Sequence, residues 1–432
     1  MNYTQNEKIN QVTESSLVIG IDIASEIQYA RAFDWRGIEI GNIFKFENSR
    51  AGFESFSGWI SNLKAKHKKS EVIVGAEPTG HYWFGLAGYM KEVGIKLVLV
   101  NPFHVKRSKE FDDNNQSKTD LKDPKTIAKL VIDGRFMEPY IPEGIYADLR
   151  ITNEIRIRIS KEINSIKNRV SRWLAIYFPE YKEVFVDWSK KGSLMILKSI
   201  PLPEDIINKG KEGINQIWRE EKLRAVGLKR ANRLYEAASQ SIGIKEGLQS
   251  ARKELKILLE EYEMKEKQHE EVMKDLEALC MEIPNAEKLL EIKGIGLVTV
   301  AGFIAEVGDI NRFDSPKQIQ KLAGLALMEN SSGKHKGKTS ISKRGRKKLR
   351  KLLFQVVMPL IAKNKEFGEM HKQYISRENN PLKKKQSIVA ISCKLIRIFY
   401  AILKKGTTYD AKKVITMKKS QEIKEITIEE AA

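Results

Sequence analysis

The stretch from Ser117 to Ala128, SKTDLKDPKTIA, sets two carboxylates, Asp120 and Asp123, three residues apart at the mouth of a predicted helix. Upstream, two further acids each end an apolar run: Asp22 in LVIGIDIA and Glu77 in VIVGAEPTG. A carboxylate inside a buried strand is costly unless it is paired, hydrogen-bonded or bound to a cation. An acid after one strand, another after a second, and a close pair at a helix start make up the donor set of a metal-dependent nuclease core. A Mg²⁺ ion needs several oxygen ligands from different elements, with room left for water and phosphate. Each acid also has a plainer reading. Glu77 alone is an ordinary turn acid, Asp22 suits a strand end satisfied by backbone amides, and Asp123 before Pro124 suits a helix cap. Lys118, beside the pair, either holds a phosphate or is solvated. The coincidence of four acids in matching contexts favours one site, with Mg²⁺, or Mn²⁺ in its place, as the cofactor.

The hydrophobic pattern sets the scaffold. Residues 16–31 read as a buried strand broken at Asp22 and continuing into a second strand. GIEIGNIFKFE reads as a third, joined through a turn near Trp35–Gly37. AGFESFSGWISNLKAKHK has helical periodicity, EVIVGAE is a strand, GHYWFGLAGYMKEVG a helix, and IKLVLVNP a strand stopped by proline. This alternation predicts an α/β core with a largely parallel sheet. The order of three strands, then helix–strand–helix–strand–helix, resembles an RNase H-like fold over residues 16–145. Residues 1–15 are expected to be disordered.

Residues 146–283 are expected to be a helical linker. One long helical pattern runs from Tyr146 to Phe178 with a basic outer face. From Ala251 to Ile283 a heptad runs through Leu255, Leu259, Tyr262, Glu266, His269, Met273, Leu276, Cys280 and Ile283. That seam fits a coiled coil used for dimerisation or a helix packed on its own neighbour. Residues 284–405 are expected to form an all-α domain, and 406–432 a loose tail. The segment 180–250 matches no motif.

Lys and Arg number 76 against 56 Asp and Glu, a formal charge of +20, which points to a polyanionic partner. The abundance of lysine is also what an AT-rich genome produces. The two cysteines, Cys280 and Cys393, read as reduced core residues of a cytoplasmic protein, with neither a disulfide framework nor zinc spacing. No apolar run reaches the length of a membrane span, and the polar N-terminus carries no signal peptide.

Two further stretches suit phosphate. Lys293-Gly294-Ile295-Gly296 lies between two apolar helical segments, and such a turn offers backbone N–H groups at the next helix start, as in helix-hairpin-helix binders. A bare helix–helix turn has the same appearance. The loop after Asn330 carries Lys334, Lys336, Lys338, Lys343, Arg344, Arg346, Lys347, Lys348, Arg350 and Lys351, dense enough to be a phosphate-binding surface. Ser331, Ser332, Ser340 and Ser342 sit among these cations, an environment that lowers a hydroxyl pKa and stabilises phosphoryl transfer. Ser342 also suits a cap for the helix that follows. His81, near aromatic residues, reads as structural and is left out of the site.

Together GIDIA, EPTGHYW, SKTDLKD and the C-terminal IKGIG, AEVGDINRF, NSSGK and ISKRGRKKLRKLL resemble the IS110/IS1111 family of DEDD transposases over nearly the whole chain. The resemblance implies a RuvC-like N-terminal domain whose acids Asp22, Glu77, Asp120 and Asp123 bind Mg²⁺. It further implies a coiled-coil linker and a C-terminal domain with a nucleophilic serine, falling on Ser332 with Ser331 the adjacent contender. The family's composite sites draw acids and serine from different protomers of a dimer or tetramer. A structured noncoding RNA that guides the protein to its DNA is also implied, in a cytoplasmic, nucleoid-associated setting. The sequence departs from the family at Pro124, where alanine is usual. A junction-resolving nuclease with attacking water is the main alternative, and a nucleic-acid binder with an inactive nuclease fold the second.

Overall fold

The structure is a computed structural model and describes residues 4–112, 122–328, 331–332, 335–336 and 339–411. The chain divides into two compact units, Met1–Ile141 and Pro142–Ala432.

The first unit is built on a six-stranded sheet in the order β3-β2-β1-β4-β5-β6. Its elements are α1 (Gln5–Ile9), β1 (Ser16–Asp22), β2 (Ile27–Phe33), β3 (Glu39–Glu47), α2 (Arg50–His67), β4 (Glu71–Ala76), α3 (Trp83–Glu92), β5 (Lys96–Val100), α4 (Pro102–Asp112), α5 (Asp123–Ile132) and β6 (Phe136–Met137). β1 is central because both of its faces are covered. Leu17, Ile19 and Ile21 enter a core shared with Phe53, Phe56 and Ile60 of α2 and Leu86 and Met90 of α3. Val18 enters the opposite core with Ile127, Ala128 and Val131 of α5.

The sheet is mixed, which corrects the largely parallel expectation. β1–β4 and β4–β5 are parallel, whereas β1–β2, β2–β3 and β5–β6 are antiparallel. The parallel neighbours are joined by crossovers, supplied here by α2 and α3, whereas the short β1–β2 and β2–β3 connections can only reverse the chain; β6 returns antiparallel to β5 after α4 and α5. The β2–β3 turn is fixed by Asp34, whose Oδ1 accepts from the amides of Arg36 and Ile38, both at 2.9 Å. The N-terminus, expected to be disordered, holds the short helix α1, with Thr4 and Glu7 capping each other reciprocally.

The second unit has two cores. α6 (Ile145–Tyr177) and α11 (Leu248–Met281) are long and pack side by side. The pairs Arg169–Glu261 at 3.3 Å and Lys265–Glu162 at 2.8 Å step in opposite directions along the two helices, so they run antiparallel. α7 (Tyr181–Val184), α8 (Lys191–Ser199), α9 (Pro203–Glu220) and α10 (Leu228–Ser239) cover one end of this pair, around Trp173, Tyr181 and Trp218. Leu255, Leu259 and Tyr262 of the heptad join that core. Leu276, Cys280 and Ile283 join the second core instead. The seam is therefore filled within the chain, by α6 and the C-terminal helices.

That second core is formed by α12 (Ala286–Leu290), α13 (Leu297–Val307), α14 (Pro316–Leu322), α15 (Lys347–Lys363), α16 (Lys365–Ser376) and α17 (Lys384–Lys405). Two small two-stranded sheets also occur, corrections to an all-helical reading. β7 (Leu327–Met328) pairs with β10 (Ser340–Ile341), and β8 (Ser331–Ser332) pairs with β9 (His335–Lys336). Against the sequence expectation, α17 is long and apolar enough to cross a membrane by length and composition. Ile391, Leu395, Ile396 and Phe399 on it are fully buried in the protein core. Cys280 and Cys393 are free thiols, and burial pushes both up, Cys280 to about 11.

Candidate active site

The register of the two central strands brings the first pair of acids together. β1 and β4 run parallel with Gly20 beside Gly75 and Ile21 beside Ala76. Asp22 is the last residue of β1 and Glu77 the first beyond β4, so they follow at adjacent strand ends. Alternation along the strand puts Asp22 on the face of Val18 and Gly20, which is the face covered by α5.

Why α5 lies so close is written in the two glycines. A Cβ on Gly20 would stand 1.9 Å from the carbonyl oxygen of Pro124, and one on Gly75 would stand 2.5 Å from Cγ2 of Val131. Neither strand position tolerates a side chain beneath the helix. The helix start is therefore seated on β1 two residues before Asp22, and Asp123 immediately precedes the seated Pro124. Asp123 opens α5 in its first turn, where a negative charge is favoured by the helix dipole. It is not the cap itself. That position is Lys122, whose side chain makes no capping bond, although its carbonyl accepts from the Thr126 amide at 3.2 Å.

Asp22, Glu77 and Asp123 each have an interacting partner. Asp120 and Lys118 lie outside the described residues. Among the described residues, no three His, Cys, Asp or Glu side chains are gathered as a ready-made metal cage. Two carboxylates at adjacent strand ends are still a donor set that suits a hard cation, since Mg²⁺ is commonly held by one or two carboxylates plus water and phosphate.

In the second unit, Lys293, Gly294 and Gly296 form an exposed turn between α12 and α13. Gly294 has φ +97°, a backbone conformation that excludes most side chains. Asn364 fixes the turn by donating from Nδ2 to the Lys293 carbonyl at 3.1 Å. A Cβ on Gly296 would meet nothing within 4 Å, so the start of α13 is open on that side.

Ser331 and Ser332 form β8, with Ser331 opposite Lys336 and Ser332 opposite His335. Lys334 and Lys338 lie outside the described residues. Several of the other expected phosphate ligands are already engaged. Arg346 reaches the buried Glu306 at 3.4 Å, Lys348 pairs with Glu154, and Arg350 Nη1 donates to the Ala323 carbonyl at 2.8 Å. Lys343, Arg344, Lys347 and Lys351 are exposed. Ser342 is not the cap of α15; its amide instead donates to the Ala326 carbonyl at 2.8 Å, and the cap position is Arg346.

The sequence reading passed over Gly20 and Gly75 as site-forming residues, although their signal was present: a glycine interrupts each apolar run two residues before its acid. It also passed over the internal carboxylate and carbonyl partners of Arg346, Lys348 and Arg350, which no local pattern announces.

Comparison with known proteins agrees with this layout. Residues 19–179 match the family model for the DEDD transposase of IS110 elements, described as a transposase. Residues 286–372 match the model described as the transposase IS116/IS110/IS902 family. The chain is 34% identical over 128 residues to the pilin gene-inverting protein of Moraxella bovis, covering 29% of this chain and 38% of that protein. It is 27% identical over 135 residues to the transposase for insertion sequence element IS1111A of Coxiella burnetii, covering 31% and 37%. A longer similarity, 21% identity over 290 residues, covers 67% of this chain and 72% of the insertion element IS116 uncharacterized 44.8 kDa protein of Streptomyces clavuligerus. The chain thus spans under two fifths of the first of these relatives. With an acid-bearing first unit and a serine-bearing second unit each matched, and in that order, the chain belongs to the IS110 family of transposases.

Proposed function

We propose that this protein is a DNA transposase that cuts and rejoins strands to insert and excise a mobile element. The observation that carries the reading is the parallel register of β1 and β4, which sets Asp22 and Glu77 side by side at the edge where α5 begins. The strand order, with an antiparallel β1–β2–β3 meander flanking parallel β4 and β5, supports an RNase H-like, RuvC-like reading of the first unit.

In this reading Asp22, Glu77 and Asp123, with Asp120, hold Mg²⁺. Bound there, the ion would polarise the scissile phosphate and offset charge on the departing oxygen. Ser332 supplies the nucleophile. Its Oγ loses a proton and forms a bond to phosphorus as the strand's own P–O bond breaks, and the departing deoxyribose oxygen takes up a proton. The phosphoserine link keeps the bond energy for rejoining, when a DNA hydroxyl attacks the same phosphorus and frees the serine. The exposed cations Lys343, Arg344 and Lys347 and the Lys293–Gly296 turn hold the backbone without reading sequence. A homodimer assembling to a tetramer, a coiled-coil role for α6 and α11, and a noncoding guide RNA complete the proposal. These last three rest on the family resemblance.

The test is covalent. Incubation with DNA carrying the element junction, followed by denaturing gels, should show protein-linked DNA for the wild type and none for Ser332→Ala, with DNA binding retained. Adducts that persist in Ser332→Ala and vanish in Ser331→Ala would move the nucleophile by one residue. Strand scission with no adduct under any condition would replace the serine by water.

A further inference from the structure

On the α2 and α3 side of the sheet, the face opposite α5, lies an open cavity of about 530 Å³ that the reaction above does not use. Its walls include Asn48, Arg50, Phe53, His81, Tyr82 and Tyr89. Asn48 follows the end of β3, which runs in the same direction as β1, so this cavity lies at the edge of the sheet where Asp22 ends. His81 comes four residues after Glu77, on the loop that leads from β4 into α3.

The chemistry of the walls narrows the occupant. Arg50 is the only wall residue with a fixed positive charge, and it is neutralised. Its guanidinium donates to both oxygens of Glu92, at 2.9 and 3.1 Å, and to Glu54 at 3.1 Å. An anionic occupant such as a phosphate gains little from a cation already paired twice. The aromatic content is high by contrast. The His81 and Tyr82 rings lie 4.5 Å apart at 38°, with His81 exposed and Tyr82 half-buried. Phe53 and Tyr89 form a second pair at 5.6 Å. Asn48 is held at the edge by donating from Nδ2 to the Ser25 carbonyl at 3.3 Å and the Tyr82 carbonyl at 3.5 Å, which leaves Oδ1 to accept from the edge of a base.

A neutral, flat, aromatic occupant with polar edges fits these walls, and the volume lies within the range of small-ligand sites, about 300–1,000 Å³. We propose that this cavity receives a single unpaired nucleobase from the nucleic acid that the protein processes. The inference rests on the proposed transposase reading for the source of the base. It adds that the protein takes nucleic acid with one base out of the stack, as enzymes that must reach a base inside a duplex do.

The experiment is a binding titration in EDTA with the full-length protein, so that no cleavage enters. Three oligonucleotides are compared: a fully paired duplex, the same duplex with one bulged 2-aminopurine, and the bulged duplex with an abasic position in place of the base. DNA and RNA versions of the bulged strand identify which polymer supplies it. The wild type should bind a bulged base about tenfold more tightly than the paired or abasic duplex, and the probe's fluorescence should fall as it stacks. His81→Ala with Tyr82→Ala should erase that preference and leave paired-duplex affinity unchanged, while Tyr82→Phe, which keeps the ring, should retain it. Equal wild-type affinity for all three duplexes in both polymers would overturn the proposal, as would an undiminished preference in the double alanine variant. Loss of protein–DNA adducts cannot imitate either result, because the titration measures no chemistry.

Discussion

Gly20 and Gly75 face each other across the β1–β4 register, and α5 rests on both. Each precedes an acid by two residues, Asp22 in one strand and Glu77 in the other. The missing side chains thus let the helix that carries Asp123 close on the sheet at the end where those two acids stand. Packing and the placing of Asp123 are here linked, because the backbone that a Cβ on Gly20 would strike is that of the next residue, Pro124.

Gly20→Ala is accordingly expected to act on fold and site together. The added methyl would meet the Pro124 carbonyl, a backbone atom with no rotamer to escape into. Overpacking of this kind costs about 1–3 kcal/mol or more, read as a lower midpoint in urea unfolding. Gly58→Ala is the matched control of opposite sign. Gly58 lies on the exposed face of α2, with nothing within 4 Å of an added Cβ. Alanine there should stabilise by about 0.5–1 kcal/mol. A Gly20→Ala protein as stable as wild type would show that α5 is not seated as described.

Metal addition should separate the acids from the scaffold. If Asp22 and Glu77 hold Mg²⁺ in the folded state alone, millimolar Mg²⁺ raises the melting temperature by mass action, about 2.7 kcal/mol at a hundredfold excess over Kd. Asp22→Asn and Glu77→Gln should each abolish that increment and leave a metal-free melting profile with the same transitions as the wild type. A Mg²⁺ increment surviving in both variants would remove these residues from the metal.

Much of the first unit was legible because its signals are local. The apolar runs at Leu17–Ile21 and Ile73–Ala76 are long enough to be buried strands, and Asp22 and Glu77 stand out because each ends such a run. What the sequence left ambiguous depends on partners distant in the chain. The sheet reads as parallel when strands alternate with helices, yet β2 and β3 reverse through Asp34. The heptad of α11 serves equally for a second copy or for α6, and its packing on α6, with Glu261 on Arg169, 92 positions away, and Lys265 on Glu162, is set by partners that no local pattern names. The basic run after Asn330 reads as uniformly free charge until Glu306 and Glu154 are found opposite Arg346 and Lys348.

Asp34 gives the first unit an acid-sensitive turn. Burial alone would raise its pKa, but donation from the Ile38 amide and from the Arg36 side chain and amide outweighs burial and holds the carboxyl below its ordinary value of 3.8. A depressed folded-state pKa contributes stability above the unfolded value, about 3.9, and loses it as pH falls through the folded value. Asp34→Ala should therefore cost about 1–3 kcal/mol at pH 7. The difference between variant and wild type should shrink as unfolding is measured at progressively lower pH, below 4. A gap that stays constant from pH 7 to the acid limit would mean that the turn does not depend on the charge.

Asn364 ties the Lys293–Gly296 turn to the C-terminal core. Its Oδ1 caps α16 by accepting from the amides of Glu366 at 3.1 Å and Phe367 at 3.3 Å, while Nδ2 donates to the Lys293 carbonyl. The side chain is buried, so both ends matter. Asn364→Ala removes both and should lower stability by about 1–2 kcal/mol. Asn364→Asp separates the two roles, since a carboxylate still caps the helix but faces the Lys293 carbonyl without a donor. If the turn holds backbone phosphate as proposed, that variant should weaken duplex binding to a similar degree across unrelated sequences, since phosphate contacts carry no sequence information. The salt dependence of binding, measured between 50 and 200 mM as a log–log slope, should fall in magnitude if a phosphate contact is lost. An Asn364→Asp protein with wild-type affinity and slope would free the Lys293–Gly296 turn from any part in DNA binding.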